Sequence, residues 1–118
     1  MLNNIKSVLG LDSNEFPKQF EQIIENIYPD SEPNEMVVMD IHKAFQFGSS
    51  AHANQFRSSG KPYFTHCVSV GVKLSEWCLD PDTIIAGILH DTLEDTDVSK
   101  EVLQEEFNPE IAKLVEGV

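Results

Sequence analysis

Apolar residues recur along this chain with the 3.6-residue period of α-helices. A first helix ends before Pro29 and carries its apolar residues on one face, at Phe16, Phe20, Ile23, Ile24 and Ile27. A turn and cap at residues 31–34 precede a second apolar stripe, which runs on toward His52. No stretch of useful length alternates with the period of a β-strand, so the pattern predicts an all-α fold.

Turn residues divide the rest of the chain into further helices. Residues 58–62 form a loop, and a helix capped by Thr65 is expected to run to about residue 78. After a break at residues 79–82, with Asp80 or Asp82 as the cap and Pro81 near the first turn, a helix is predicted over residues 83–95. Two more helices follow, at about residues 100–107 and from Asn108 onward. We expect a helical extension at residues 1–35 and one domain at residues 36–118.

Composition limits the class of protein. The chain has 118 residues, 41% of them hydrophobic, as expected for a single globular domain. It contains no apolar run of membrane-spanning length and no signal-peptide core near its start, which predicts a cytoplasmic protein. Cys67 and Cys78 fall in one predicted helix, about 16 Å apart. That is too far for a disulfide, which needs Cα atoms within about 7 Å.

The charge of −12 argues against nucleic-acid binding, which requires a basic surface. The charge is unevenly distributed, because residues 41–75 contain no Asp or Glu and carry +4, leaving −16 for the rest. This window either forms a binding surface for an anionic ligand such as a phosphate, or lacks acidic residues by chance and carries cations that are only solvated. Its four cations are Lys43, Arg57, Lys61 and Lys73.

The predicted helix at residues 83–95 concentrates the candidate chemistry. At 100° per residue, one polar arc holds His90, Asp91, Glu94 and Asp95, opposite an apolar stripe. Gly87 lies beneath that arc, where a missing side chain leaves room for a ligand or a neighbouring backbone.

Three carboxylates within five residues repel one another unless a cation or solvent screens them. A divalent metal beside the helix, between the directions of His90 and Asp91, would relieve the repulsion. His66, at the start of the preceding helix, is the leading candidate for a further ligand. Imidazole and carboxylate together favour Mn²⁺, Fe²⁺ or Zn²⁺ over Ca²⁺ and Mg²⁺. The alternative is a polar helix face without a metal.

Three segments resemble the hydrolase domain of RelA/SpoT proteins. Residues 51–66 (AHANQFRSSGKPYFTH) look like its opening motif, and residues 88–96 (ILHDTLEDT) resemble its HD and ED motifs. Residues 107–118 resemble the segment that follows. The likeness runs from about residue 36 to the end of the chain, with the same order and spacing.

The resemblance implies an HD-domain-like helical bundle, incomplete at its C-terminus. It further implies Mn²⁺-dependent removal of the 3′-pyrophosphate of ppGpp or pppGpp, a reaction of the stringent response. By matching motif positions, the metal ligands would be His66, His90 and Asp91. Glu94 and Asp95 would position and activate the attacking water. The guanine nucleotide would contact Arg57, with Ser59 and Lys61 in the same loop.

The sequence also departs from the family pattern. Ser58 stands where a lysine is usual, and Cys67 where a proline usually follows the histidine. The family's fourth metal ligand, an aspartate on a later helix, would fall beyond Val118, so we expect a three-ligand partial site. We also expect an exposed apolar face at the C-terminal end and self-association through it. Two other functions stay open: an inactive or incomplete module that binds a nucleotide or protein partner, and an HD phosphohydrolase of another nucleotide.

Overall fold

The computed structural model describes residues 17–77 and 79–117 of this chain. Over these residues the backbone forms helices and no strand, with one isolated antiparallel bridge between Phe56 and Pro62. The all-α prediction is therefore confirmed. The helices are α1 (Pro17–Ile27), α2 (Glu35–Ala51), α3 (Phe64–Glu76), α4 (Pro81–Ile88), α5 (Thr92–Asp95), α6 (Lys100–Glu106) and α7 (Pro109–Gly117). Phe16, Cys78 and Val118 lie outside the described residues.

Most of the predicted helix starts are confirmed by side-chain caps. The Asn34 side chain accepts hydrogen bonds from the first backbone N–H groups of α2. Asp80 accepts from the backbone N–H of Thr83, with Pro81 in the first turn of α4, and Ser99 caps α6. Thr65 is not a cap, because α3 already begins at Phe64 and the Thr65 hydroxyl donates to the carbonyl of Pro62.

The helix predicted over residues 83–95 is wrong as a continuous element. α4 ends at Ile88, a turn occupies residues 89–91, and the four-residue α5 follows. In this turn the backbone N–H of His90 donates to the carbonyl of Gly87, and the N–H of Thr92 donates to the carbonyl of Leu89. Each bond reaches back three residues, one fewer than in an α-helix. The hydroxyl of Thr92 also donates to the carbonyl of Leu89, at 2.8 Å. The Thr92 side chain therefore occupies the carbonyl of Leu89, which in a continuous helix would accept a backbone N–H four residues later.

The core lies where α3 packs on α4, the most extensive contact between two helices. Gly71 of α3 allows this approach, since a Cβ there would lie 2.6 Å from Cγ1 of the buried Ile88. Gly87 plays the same part from α4, because its Cβ would meet Leu74 Cδ1 at 2.2 Å. The expectation that Gly87 leaves room for a ligand or a neighbouring backbone is therefore wrong as to the occupant: the side chain of Leu74 on α3 fills that space.

α1 contributes to the same core through Phe20, Ile23 and Ile24, which are fully buried. His42 of α2 is buried as well, and its ring meets Phe20 edge-on. The domain boundary at residue 35 stays a prediction. None of the helices among the described residues has the length and hydropathy needed to cross a membrane.

Candidate metal centre

The turn after α4 fixes the ring of His90. Its Nδ1 lies 2.6 Å from the carbonyl oxygen of Gly87. Because a carbonyl can only accept, Nδ1 carries the hydrogen, and Nε2 of the neutral ring then presents a lone pair. That Nε2 lies 3.1 Å from Oδ2 of Asp91. Two electron-rich atoms thus face each other, and the contact is favourable only with a proton or a cation between them.

His66 completes the group from the first turn of α3. Its ring centroid lies 5.5 Å from that of His90, at an interplanar angle of 66°. One ligand atom from each of His66, His90 and Asp91 lies within 4.8 Å of the other two, and all three residues are half-buried. Within the described residues no other set of three His, Cys, Asp or Glu side chains meets this criterion.

This donor set fits a divalent metal ion. Two ligand atoms that each lie about 2.1 Å from one ion are about 3.0 Å apart in octahedral and about 3.4 Å apart in tetrahedral geometry, and the 3.1 Å between His90 Nε2 and Asp91 Oδ2 falls in this range. The carbonyl of Gly87 holds the other nitrogen of His90, as outer partners of metal-bound histidines commonly do. Two imidazoles and one carboxylate are ligands that divalent transition metals accept.

Cys67 follows His66 but is not part of this group. Burial, and to a lesser extent the negative charge of Asp91, raises the pKa of its thiol to about 12. The side chain is therefore an uncharged thiol at neutral pH and packs in the core. Metals bind the thiolate form, so a buried thiol of this kind is a poor ligand.

Sequence reasoning missed Tyr63, which contacts the candidate ligands. Its hydroxyl donates to Oδ2 of Asp91 at 2.6 Å. This hydrogen bond raises the pKa of Tyr63 well above its usual value, and burial and the charges of Asp91 and Asp95 act in the same direction. Two signals in the sequence could have indicated it: Tyr63 lies within the motif at residues 51–66, and it stands three residues before His66.

Glu94 and Asp95, the predicted catalytic pair, lie on α5 and are exposed. They are not part of the three-residue group, although the charge of Asp95 is near enough to affect Tyr63 and Cys67. The backbone carbonyl of Asp95 accepts a hydrogen bond from the side chain of Gln55. Asp95 therefore lies near enough to the candidate metal centre to act on its neighbours electrostatically, and Glu94 precedes it on the same short helix.

Arg57, Ser59 and Lys61, the predicted substrate-binding residues, share one exposed loop. The loop is closed by bonds from the N–H of Arg57 to the carbonyl of Lys61 and from the N–H of Gly60 to the carbonyl of Arg57, both 2.8 Å. Gly60 has φ +90°, a left-handed conformation that favours glycine. No ion pair joins Arg57 or Lys61 to another residue in the part of the chain that the structure describes.

The other two cations of the acid-free window lie elsewhere. Lys43 on α2 forms an ion pair with Glu106 and lies over the ring of Phe107. Lys73 occupies the last turn of α3, at the opposite end of that helix from His66. The window is therefore not one basic surface, and of its four cations only Arg57 and Lys61 share a loop, which leads into α3 and the candidate ligand His66.

Comparison with known proteins adds the family. The sequence profile described as "HD domain" matches residues 44–118. Over 79 residues, 67% of this chain, it is 48% identical to the guanosine-3′,5′-bis(diphosphate) 3′-pyrophosphohydrolase of Aquifex aeolicus. It is 41% identical over 99 residues, 84% of the chain, to the protein of the same name from Borreliella burgdorferi. A probable GTP pyrophosphokinase of Mycobacterium leprae is 45% identical over 78 residues, 66% of the chain.

These relatives confirm the resemblance to RelA/SpoT proteins that the motifs indicated. The chain spans 11%, 14% and 10% of their respective lengths. The similarity therefore concerns one segment of much longer proteins.

Proposed function

This chain belongs to the HD domain family, and on that basis we propose that it forms the metal-binding part of a hydrolase that removes the 3′-pyrophosphate of ppGpp or pppGpp. The names of the Aquifex and Borreliella relatives support the substrate. The observation that carries the proposal is the convergence of His66, His90 and Asp91, whose ligand atoms lie within 4.8 Å of one another.

In this proposal the three residues hold a divalent ion, and Mn²⁺ is the ion that the family resemblance implies. When bound, such an ion polarises a phosphoryl oxygen and makes water more acidic. His90 is prepared for this role because Gly87 occupies its Nδ1 and leaves Nε2 available. The turn at residues 89–91 places Asp91 next to that nitrogen.

The reaction requires a base and a site for the anionic substrate. Glu94 or Asp95, exposed beside the centre, takes the proton of the attacking water. The water oxygen bonds to the phosphorus attached at the ribose 3′-oxygen. The bond between that phosphorus and the 3′-oxygen then breaks, the 3′-oxygen takes up a proton, and pyrophosphate leaves. The products are GDP or GTP and pyrophosphate.

Arg57 and Lys61 are the cations that receive the nucleotide in this proposal. Both are exposed and lie opposite each other across the loop, joined by the bond from the Arg57 N–H to the Lys61 carbonyl. A planar guanidinium suits either a phosphate or the face of a base. With a net charge of −12, the protein otherwise repels a polyphosphate, so these local cations matter for binding.

The direct test incubates the purified chain with Mn²⁺ and ppGpp and measures pyrophosphate release. His66→Ala serves as the control, since it removes one proposed ligand and leaves the loop and the acid pair intact. Release of pyrophosphate by the unmodified chain, and none by the variant, would support the proposal.

A second candidate is a module that binds the nucleotide without turning it over. The exposure of Glu94 and Asp95, neither of which belongs to the three-residue group, favours it. Binding of ppGpp without release of pyrophosphate would identify this function. Turnover of ordinary nucleoside triphosphates, but not of ppGpp, would instead indicate an HD phosphohydrolase of another nucleotide.

A further inference from the structure

We propose that Tyr63 is a positioning residue for the metal centre, and that its hydroxyl holds the carboxylate of Asp91 in the orientation that binds the ion. This inference rests on the proposed function, because it assumes that Asp91 is a metal ligand. It assigns a role to a residue that is neither a ligand nor part of the loop at residues 57–61 that is proposed to bind the nucleotide, called the substrate loop below.

Tyr63 stands at the junction between the substrate loop and α3. Its hydroxyl is 2.6 Å from Asp91 Oδ2. Its ring centroid lies 5.9 Å from that of His66, at an interplanar angle of 59°. Tyr63 therefore touches two of the three candidate ligands, one through its ring and the other through its hydroxyl.

The position of the Tyr63 ring is fixed by buried neighbours. The ring of His52, which is only 1% exposed, also contacts the ring of Tyr63, with ring centroids 5.1 Å apart. His52 is itself stacked on Phe64 and bonded through Nδ1 to the side chain of Gln55, at 2.8 Å. The backbone N–H of Tyr63 donates to the carbonyl of Gln55, also at 2.8 Å. With its ring and backbone held in this way, the hydroxyl is presented at a defined point.

Asp91 needs such a partner because its own backbone does not fix its side chain. It precedes α5 in a turn conformation (φ −94°, ψ 0°) and makes no side-chain cap to that helix. Its Oδ2 faces Nε2 of His90 at 3.1 Å, and a neutral His90 presents a lone pair there. Without a proton or a cation between them, these two atoms repel each other, and the repulsion would turn the carboxylate away. A short hydrogen bond from a neutral donor to a carboxylate is strong enough to oppose that rotation.

The hydrogen bond from Tyr63 therefore holds the Asp91 carboxylate in position before an ion binds. Outer partners of metal ligands typically account for about 10-fold to 100-fold in metal affinity. Loss of the hydroxyl should lower the affinity by a factor of that size. The ring contacts to His52 and His66 would remain, so the fold should not change.

The first experiment compares Tyr63→Phe with Tyr28→Phe. The chain has two tyrosines, and Tyr28 follows α1 and packs half-buried on the core. Mn²⁺ binding is measured by electron paramagnetic resonance of the free ion, and folding by circular dichroism. We expect Tyr63→Phe to bind Mn²⁺ about 10-fold to 100-fold more weakly, with Tyr28→Phe like the unmodified chain. Equal affinity in all three proteins would overturn the inference.

A second measurement does not depend on how well Tyr63→Phe folds. In the Tyr28→Phe chain, labelling with 3-fluorotyrosine places a single fluorine-bearing ring at Tyr63. Because the hydroxyl is bonded to a proposed ligand, adding diamagnetic Zn²⁺ should shift its ¹⁹F resonance. Binding of Zn²⁺, detected by calorimetry, without any change in that resonance would overturn the role of Tyr63.

These outcomes separate the inference from the proposed function. A chain that binds Mn²⁺ equally well with and without the hydroxyl keeps the metal site and loses the positioning role. An unmodified chain that binds neither Mn²⁺ nor Zn²⁺ overturns the metal site, and the role of Tyr63 with it.

Discussion

Replacing Gly71 with alanine should destabilise the fold and weaken the metal centre together. A Cβ at residue 71 would lie 2.6 Å from Ile88 Cγ1, 3.1 Å from Ile88 Cδ1 and 3.5 Å from Ile23 Cδ1. Ile88 is fully buried and β-branched, so it cannot readily rotate away. Helices α3 and α4 must therefore separate slightly.

The size of the effect follows from two opposing contributions. Overpacking of a core lowers the free energy of unfolding by about 1–3 kcal/mol. Replacing glycine by alanine inside a helix raises it by about 1 kcal/mol. A net loss of about 1 kcal/mol would lower Tm by about 4–8 °C in a domain of this order of size. His66 precedes Gly71 on α3, and His90 follows Ile88 by two residues, so the same separation moves the ligands apart.

Gly117→Ala is the matched control, because a Cβ at the last residue of α7 would meet nothing within 4 Å. Thermal unfolding followed by circular dichroism gives Tm, and paramagnetic resonance gives the affinity for Mn²⁺. We expect Gly71→Ala to lower both, while Gly117→Ala leaves both close to the unmodified chain. If Gly71→Ala raised Tm and bound Mn²⁺ normally, the close packing of α3 on α4 would be refuted as the support of the site.

Three further predictions address the ligands, the loop and a helix cap. His90→Ala should abolish Mn²⁺ retention, and unchanged metal content would contradict its assignment as a ligand. Arg57→Ala should weaken ppGpp binding about 10-fold, the equivalent of one charge-assisted contact of about 1.4 kcal/mol, whereas Lys113→Ala on α7 should not; calorimetry measures both. The Thr83 hydroxyl lowers the pKa of Asp80 below 3.8, so the ionised cap stabilises the fold above that pH and the effect is lost as pH falls through the lowered value. Asp80→Ala should therefore cost about 0.5–2 kcal/mol at pH 7, and the difference in Tm should shrink in acid.

Three helix starts were predictable because their signals are local, whereas the cap predicted at Thr65 was wrong. Asn34, Asp80 and Ser99 each accept a hydrogen bond from a backbone N–H two or three residues ahead. Such caps need no distant partner, so a single sequence reveals them. His42 shows the limit of local reasoning, because its burial against Phe20 depends on α1 packing on α2.

The partners of the candidate site were not predictable from periodicity. Tyr63 and Asp91 are 28 residues apart in sequence, and Gln55 and Asp95 are 40 apart. Hydrogen bonds over such separations depend on how α3 and the loop before it pack against the turn after α4 and against α5. The motif spacing predicted the candidate ligands His66, His90 and Asp91, which the structure brings together, but it contained no information about the side chains that contact them.

The break after α4 changes how the candidate site works, and not only where a helix ends. In a continuous helix, adjacent side chains point about 100° apart, so His90 and Asp91 would share an ion only if it lay between diverging directions. In the turn, His90 Nε2 and Asp91 Oδ2 lie 3.1 Å apart and face the same side, toward His66. The carbonyl of Gly87, left without its usual partner where the helix ends, accepts a bond from His90 Nδ1 and fixes the tautomer. The end of the helix therefore supplies both the convergence of the ligands and the correct nitrogen, which an unbroken helix would not provide.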